Sequence, residues 1–174
     1  RKEGTKLLEQ FEGYFELDNV TIEKYDENDW PIRPEALKTK KAKETQINKQ
    51  ADVVMLLHLM GNEFDDETIK ENYAYYEKRT LHGSSLSPSI YSVMGLKVGD
   101  DSKAYRYLRR AAFIDLLNMQ GNTREGIHAA NTGGVWQTIV FGFAGVSQRE
   151  DGKLRVCPNM PEEWQNLTFR LHYK

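Results

Sequence analysis

Lys49–Met60 reads KQADVVMLLHLM. From Ala51 onward a helix built from it is apolar on nearly every side, the mark of an element enclosed by others. It is far shorter than the roughly 20 apolar residues a membrane span needs. A deeply buried helix in a mainly α-helical fold is therefore expected. Lys49 and Gln50 stand at its start. An exposed first turn is their plain reading, although Lys is not favoured near the positive end of a helix dipole. His58, inside the apolar run, reads as a hydrogen-bonded core histidine.

Downstream, Asp65 and Asp66 open a second predicted helix that runs to about Lys78, with acids in its first turn. Ile69, Tyr73 and Tyr76 form its apolar stripe. Tyr75–Ser92, YYEKRTLHGSSLSPSIYS, then sets one His and two adjacent Ser before another helix start. Ser87 is placed as the N-cap and Pro88 as the first helical residue, where its missing N–H costs nothing. A helix start offers unpaired N–H groups and the positive end of a dipole. Ser84, Ser85 and His82 add side-chain donors, a grouping suited to phosphate, sulfate or carboxylate. A turn that merely caps its helix fits the same residues.

Lys103–Met119 reads as a strong helix with Ala104, Tyr107, Leu108, Ala111, Ala112, Asp115 and Leu116 on one inner face. Asp115 is the anomaly on that face and calls for a buried donor or Arg109. The loop Gln120–Gly134 holds Gly126, His128, Asn131 and a Gly pair. Asn131 or Thr132 is the expected cap of a helix from about Gly134 to Phe143. Two loops distant in sequence thus each bring a His and small polar residues to a helix start. The expectation is that they meet at one opening and grip an anion jointly.

The flanks are less regular. Arg1–Gln10 reads as the end of a helix, Phe11–Leu17 as a short strand or extended loop, and Asp18–Lys43 as a long surface excursion. After Gly145 the pattern turns to β. Gly145–Arg149 and Lys153–Cys157 flank Glu150-Asp151-Gly152, a hairpin signal, and Leu167–Tyr173 alternates. So few strands are marginal alone. The division expected is a helical portion, 1–145, and the opening of a small, incomplete β-sandwich domain, 146–174.

Composition narrows the function classes. Lys+Arg 24 against Asp+Glu 26 gives a net charge of -2, without the concentrated basic surface of a nucleic-acid binder. The single Cys157 excludes an internal disulfide, and the His and Cys spacing matches no metal-ligand motif. The opening residues, RKEGTK, have no signal-peptide character. A cytoplasmic protein with neither membrane nor nucleic-acid partners is expected.

Five segments occur together in order: FEGYFEL, KQADVV, YYEKRTLHGSSLS, GIHAANTGGVWQ and LRVCPNMPEEWQNLTFRL. With them nearly the whole chain resembles the C-terminal region of the inverting disaccharide phosphorylases of glycoside hydrolase family 65. That family includes maltose, trehalose, kojibiose and nigerose phosphorylases. The resemblance implies the C-terminal part of an (α/α)6 barrel followed by the first strands of a β-domain. It implies that Lys49 and Gln50 bind the glucosyl unit, and that Ser84, Ser85 and His128, with His82 as a neighbour, bind phosphate. The implied reaction cleaves an α-linked glucose disaccharide, maltose first, with inorganic phosphate as co-substrate and no cofactor. Phosphate is already an anionic nucleophile, so it needs orienting donors in place of the base an inverting hydrolase requires. The family's general-acid Glu lies upstream of the matched region. Glu77 and Glu125 sit near the loops but beside basic residues, the wrong setting for an acid. The expectation is thus a fragment, inactive without the rest of its polypeptide; the resemblance adds a family in which homodimers are common and leaves the oligomeric state open. A helical sugar-binding or interaction module and a hydrolase of the same family are the alternatives.

Overall fold

The computed structural model describes residues 2–28, 30–149 and 151–173. Arg1, Asp29, Glu150 and Lys174 lie outside the described residues; they belong to the expected terminal helix, the excursion, the hairpin turn and the end of the expected β portion, 146–174. Five α-helices follow in order: α1 (Asp52–Leu59), α2 (Asp66–Glu77), α3 (Ser87–Val98), α4 (Asp101–Phe113) and α5 (Ala129–Gln137). A π-helical segment, Thr138–Phe143, continues α5 into a hairpin of β1 (Val146–Gln148) and β2 (Leu154–Val156). Among the described residues no helix is long and apolar enough to cross a membrane.

The most enclosed helix is α3, although the sequence pointed to α1. Ser87 through Ser92, Met94 and Gly95 are all buried. Small residues make this possible. A Cβ added to Gly95 would sit 3.1 Å from Ala104 Cβ, so only glycine lets α4 come this close. Ser92 Oγ donates to Ala104 O at 2.6 Å, which satisfies the hydroxyl inside the contact. In α1 only Val53, Val54 and Leu57 are buried. Met55 is partly buried against the same core, while Leu56 and Leu59, with Met60 at the C-cap, are exposed. The apolar run therefore reports two faces, only one of which is covered by α2 and α3.

Helix α2 starts as expected, with Asp65 accepting from Thr68 N at 2.7 Å, and buries Ile69, Tyr73 and Tyr76. Asn72 ties the N-terminal segment to it, accepting from Leu8 N at 2.8 Å and donating to Lys6 O at 3.0 Å. Residues 2–10 are turns and extended chain, not helix. FEGYFEL forms a 3-10 turn at Tyr14–Glu16, where Gly13 takes the left-handed conformation, φ 83°, and breaks the strand reading. The 18–43 excursion folds back on the molecule. Ile22 and Leu37 join Ile47 in a small second core, and Ile22 N donates to Lys78 O at 2.8 Å.

Helix α4, capped by Asp100, starts at Asp101, two residues before the expected Lys103, and stops at Phe113, well short of Met119. Ala104, Tyr107, Leu108 and Ala111 are buried as predicted, but Ala112, still helical, lies on the exposed face, and Leu116 is exposed where turns have replaced the helix. β1 and β2 pair antiparallel with Val146 opposite Val156. Residues 167–173 form no strand among the described residues, yet alternate side chains Leu167, Phe169 and Leu171 pack on Val140, Ala144 and Val146. Period two is kept there without a ladder.

Candidate functional site

Three helix starts share one end of the molecule. The chain before α1 runs beside the chain before α3: Leu81 N donates to Asn48 O at 2.8 Å and Gly83 N to Lys49 O at 2.9 Å. Helices α3 and α5 then run parallel. Thr138 Oγ1 reaches Ser89 O at 3.2 Å, and further along Gly142 faces Val93 and Leu96. At Gly134 the approach is closest, since a Cβ there would lie 2.5 Å from Ser89 Oγ. The starts of α1, α3 and α5 carry no capping side chain, whereas α2 and α4 are capped by Asp65 and Asp100. At each of these three starts the first helical N–H is already bonded within the chain, Asp52 to Gln50 O, Ser87 to Ser84 O and Ala129 to Ile127 O, and Pro88 carries none, so any N–H groups left for a ligand lie further into the first turn.

Lys49 and Gln50 are exposed on the approach to α1. Lys49 lies along Gly83, where an added Cβ would come within 3.3 Å of its Cγ. Gln50 Nε2 donates to Asp52 Oδ1 at 3.0 Å. Ser84 and Ser85 are half-buried in the turn before α3. Ser84 Oγ takes only a long bond, 3.4 Å, from Leu86 N, and the Ser85 hydroxyl has no partner among the described residues. Ser87 is the first helical residue and Leu86 the N-cap, one position earlier than predicted.

His128 sits at the N-cap of α5. The helix thus starts at Ala129, five residues before the predicted Gly134, and Asn131 is inside it, donating to Ala111 O at 2.8 Å. The cause is Asp115, whose carboxylate accepts from His128 N at 2.8 Å and pairs with His128 Nδ1 at 2.5 Å. The imidazole bond, then the backbone N–H, holds the Asp115 carboxyl below its usual range. Asp115 is thereby explained as the residue that orients His128. Nδ1 of His128 faces the Asp115 carboxylate, and Nε2 has a long contact, 3.5 Å, with Asn122 Nδ2.

His82 is placed differently from the expectation. Its ring is buried against Trp30, Tyr91 and Tyr107. Nδ1 lies 2.8 Å from Ser87 Oγ and Nε2 3.1 Å from Tyr107 OH. Both nitrogens are occupied, and burial holds the ring neutral by pulling its pKa down to about 3. His82 therefore offers no free donor to an anion at the mouth. Glu77, dismissed above as an acid, is buried and paired with Lys103 at 3.0 Å.

A cleft of about 450 Å³ opens behind His82, between the excursion and helices α2 and α4. Tyr25, Trp30, Glu77, Lys103, Tyr107 and Arg110 line it, and it includes none of the residues predicted to bind ligand. Arg110 stacks on Trp30 at 3.8 Å. Among the described residues no group of three or more His, Cys, Asp or Glu side chains is placed to hold a metal ion.

The model of the glycosyl hydrolase family 65 central catalytic domain matches residues 1–137. The chain belongs to glycosyl hydrolase family 65. Its helices are accordingly the C-terminal part of an (α/α)6 barrel. The chain is 53% identical to a kojibiose phosphorylase of Thermoanaerobacter brockii over 169 residues, 97% of this chain and 22% of that protein. It is 45% identical to an alpha,alpha-trehalose phosphorylase of Geobacillus stearothermophilus over 128 residues, 74% of this chain and 17% of the relative. A solved structure of a candidate kojibiose phosphorylase from the human microbiome superposes with a TM-score of 0.77 at 34% identity, covering 94% of this chain and 21% of the other. The chain thus spans about a fifth of the length of the family 65 relatives it matches.

Proposed function

We propose that this chain is the phosphate-binding and part of the glucosyl-binding portion of an inverting disaccharide phosphorylase. What supports the reading is that α3 runs beside α5, with Gly134 against Ser89, and that the chain before α1 runs beside the chain before α3, so the uncapped starts of the three helices, with half-buried Ser84 and Ser85 and an oriented His128, lie toward the same end. Aligned N–H dipoles and hydroxyls stabilise an oxyanion and keep it fixed relative to a second reactant. In the proposed reaction a phosphate oxygen attacks the anomeric carbon from the face opposite the glycosidic bond. A general-acid Glu outside this chain protonates the leaving oxygen. The products are β-glucose 1-phosphate and glucose. Lys49 and Gln50 orient the glucosyl unit, and inorganic phosphate is a co-substrate with no cofactor needed.

Two of the relatives are named for kojibiose and one for trehalose, so kojibiose is the disaccharide to test first, with maltose beside it. The proposal also keeps residues 1–145 as barrel and 146–174 as the start of a β-domain. The decisive experiment replaces Ser84→Ala with Ser85→Ala in the complete polypeptide and measures phosphorolysis at subsaturating phosphate. A loss above about tenfold is expected, since a hydrogen bond to a charged group contributes roughly 1.5–3 kcal/mol. A rate within about twofold of the parent overturns the assignment.

A further inference from the structure

Behind the serine turn runs a continuous chain of hydrogen bonds. Lys103 Nζ lies 3.0 Å from Glu77 Oε1, and Tyr107 OH donates to the same oxygen at 3.2 Å. Tyr107 OH is 3.1 Å from His82 Nε2, and His82 Nδ1 is 2.8 Å from Ser87 Oγ. Apart from Lys103, which is partly exposed, every member is buried. The sense of the chain follows from elementary donor bookkeeping. A carboxylate only accepts, so the one proton of Tyr107 goes to Glu77. The phenolic oxygen must then accept from His82, which places the single N–H of the neutral ring on Nε2. Nδ1 is left as an acceptor, and the Ser87 hydroxyl donates to it.

The last two members of this chain, His82 and Ser87, bracket the turn that carries Ser84 and Ser85. His82 opens the turn with its backbone at φ 51°, a left-handed conformation rare for a residue with a side chain. Ser87 closes it, its N–H donating to Ser84 O at 3.2 Å. The bond from the Ser87 hydroxyl to His82 Nδ1 therefore ties the left-handed entrance to the helical exit, and the bond from Nε2 to Tyr107 anchors both to α4. The ring also stacks on Tyr107 and Tyr91, with centroids 4.8 Å away in each case, so it cannot swing without disturbing the core.

We propose that Glu77, Tyr107 and His82 are positioning residues for the anion site, joined in the donor order Ser87 to His82 to Tyr107 to Glu77, and that this relay sets the shape in which Ser84 and Ser85 meet phosphate. The inference rests on the phosphate reading of Ser84 and Ser85 and names the machinery behind it.

The test uses the complete polypeptide. Tyr107→Phe removes one hydroxyl and keeps the ring packing. The KM for inorganic phosphate is expected to rise about fivefold or more, with the KM for the disaccharide within about twofold. A merely structural role would lower the amount of folded enzyme and move neither KM. Ser84→Ala with Ser85→Ala runs in parallel. If the serine variant raises the phosphate KM and Tyr107→Phe does not, the relay proposal falls and the phosphate reading stands. If neither moves it, the phosphate reading itself has failed and takes the relay with it. Should Tyr107→Phe not fold, nitrogen-15 NMR of the parent protein reads the His82 tautomer directly. Protonation on Nε2 supports the relay, and protonation on Nδ1 overturns its sense.

Discussion

His82 is a buried imidazole with two partners, and that combination has a consequence in acid. Burial depresses its pKa from the ordinary 6.5 to about 3, so between those values the unfolded chain binds a proton that the folded chain refuses. Stability from this group is therefore complete above pH 6.5 and falls as pH drops toward 3. His58, lowered chiefly by burial, acts in the same sense. Asp115 and Asp65 extend the loss below about pH 4, the ordinary carboxylate range, since hydrogen bonds hold both carboxyls low. For His82 alone the free energy of unfolding should drop by about 2 kcal/mol between pH 7 and pH 5, at about 1.4 kcal/mol per unit below 6.5. Urea unfolding at the two values checks it. Equal stability at both would mean that the folded state protonates His82 and that the bond arrangement around it is wrong.

Among the elements, the contact between α3 and α5 is the most demanding, because it brings two helix starts to one place. It depends on Gly134. A methyl group there would lie 2.5 Å from Ser89 Oγ and 3.1 Å from Ser89 Cβ, so making room means turning the hydroxyl away from its bond to Leu86 O and moving the two helices apart by a few tenths of an ångström. Gly134→Ala should destabilise the fold by about 1–3 kcal/mol, the usual cost of overfilling a packed contact. Chemical denaturation measures this, and a variant within about 0.5 kcal/mol of the parent would show that the helices are not this close. Helix propensity alone predicts the opposite sign, since alanine is the better helix former by about 1 kcal/mol. The two effects are therefore separable. The uncapped starts belong to the same scale. Asp65 and Asp100 cap α2 and α4, but no side chain caps α1, α3 or α5.

The molecule as a whole exposes more apolar surface than its charge would suggest. Leu56, Leu59 and Met60 stand out from α1, and Leu116, Leu117 and Ile127 from the connection between α4 and α5, with Leu59 73% and Leu116 77% exposed. Contiguous apolar surface of this kind is uncommon on soluble monomers. The 174-residue chain by itself should bind a hydrophobic dye and self-associate, and Leu56→Lys with Leu59→Lys should reduce both. Sedimentation showing a monomer at about 100 µM with no dye binding would argue against an open face on α1. Which apolar residues are covered could not be read from KQADVVMLLHLM, because its periodicity is nearly uniform around the helix. In α2 the stripe Ile69, Tyr73 and Tyr76 was plain, because polar residues bound it on both sides.

Local chemistry was legible in the chain. Acids at a helix start, Pro near the first turn, an Asp-Gly hairpin and a 3.6-residue stripe act between near neighbours, and each appears within a residue or so of its expected place. The anomaly of an acid at 115 was visible too, but its partner was not. His128 lies 13 residues away and is reached only because α4 unwinds after Ile114. The burial of α3 over α1, the relay from Glu77 to Ser87 and the fold-back of the excursion are of the same kind. They depend on which surfaces face each other once helices pack. That pairing is a property of two distant segments together, and neither segment contains it alone.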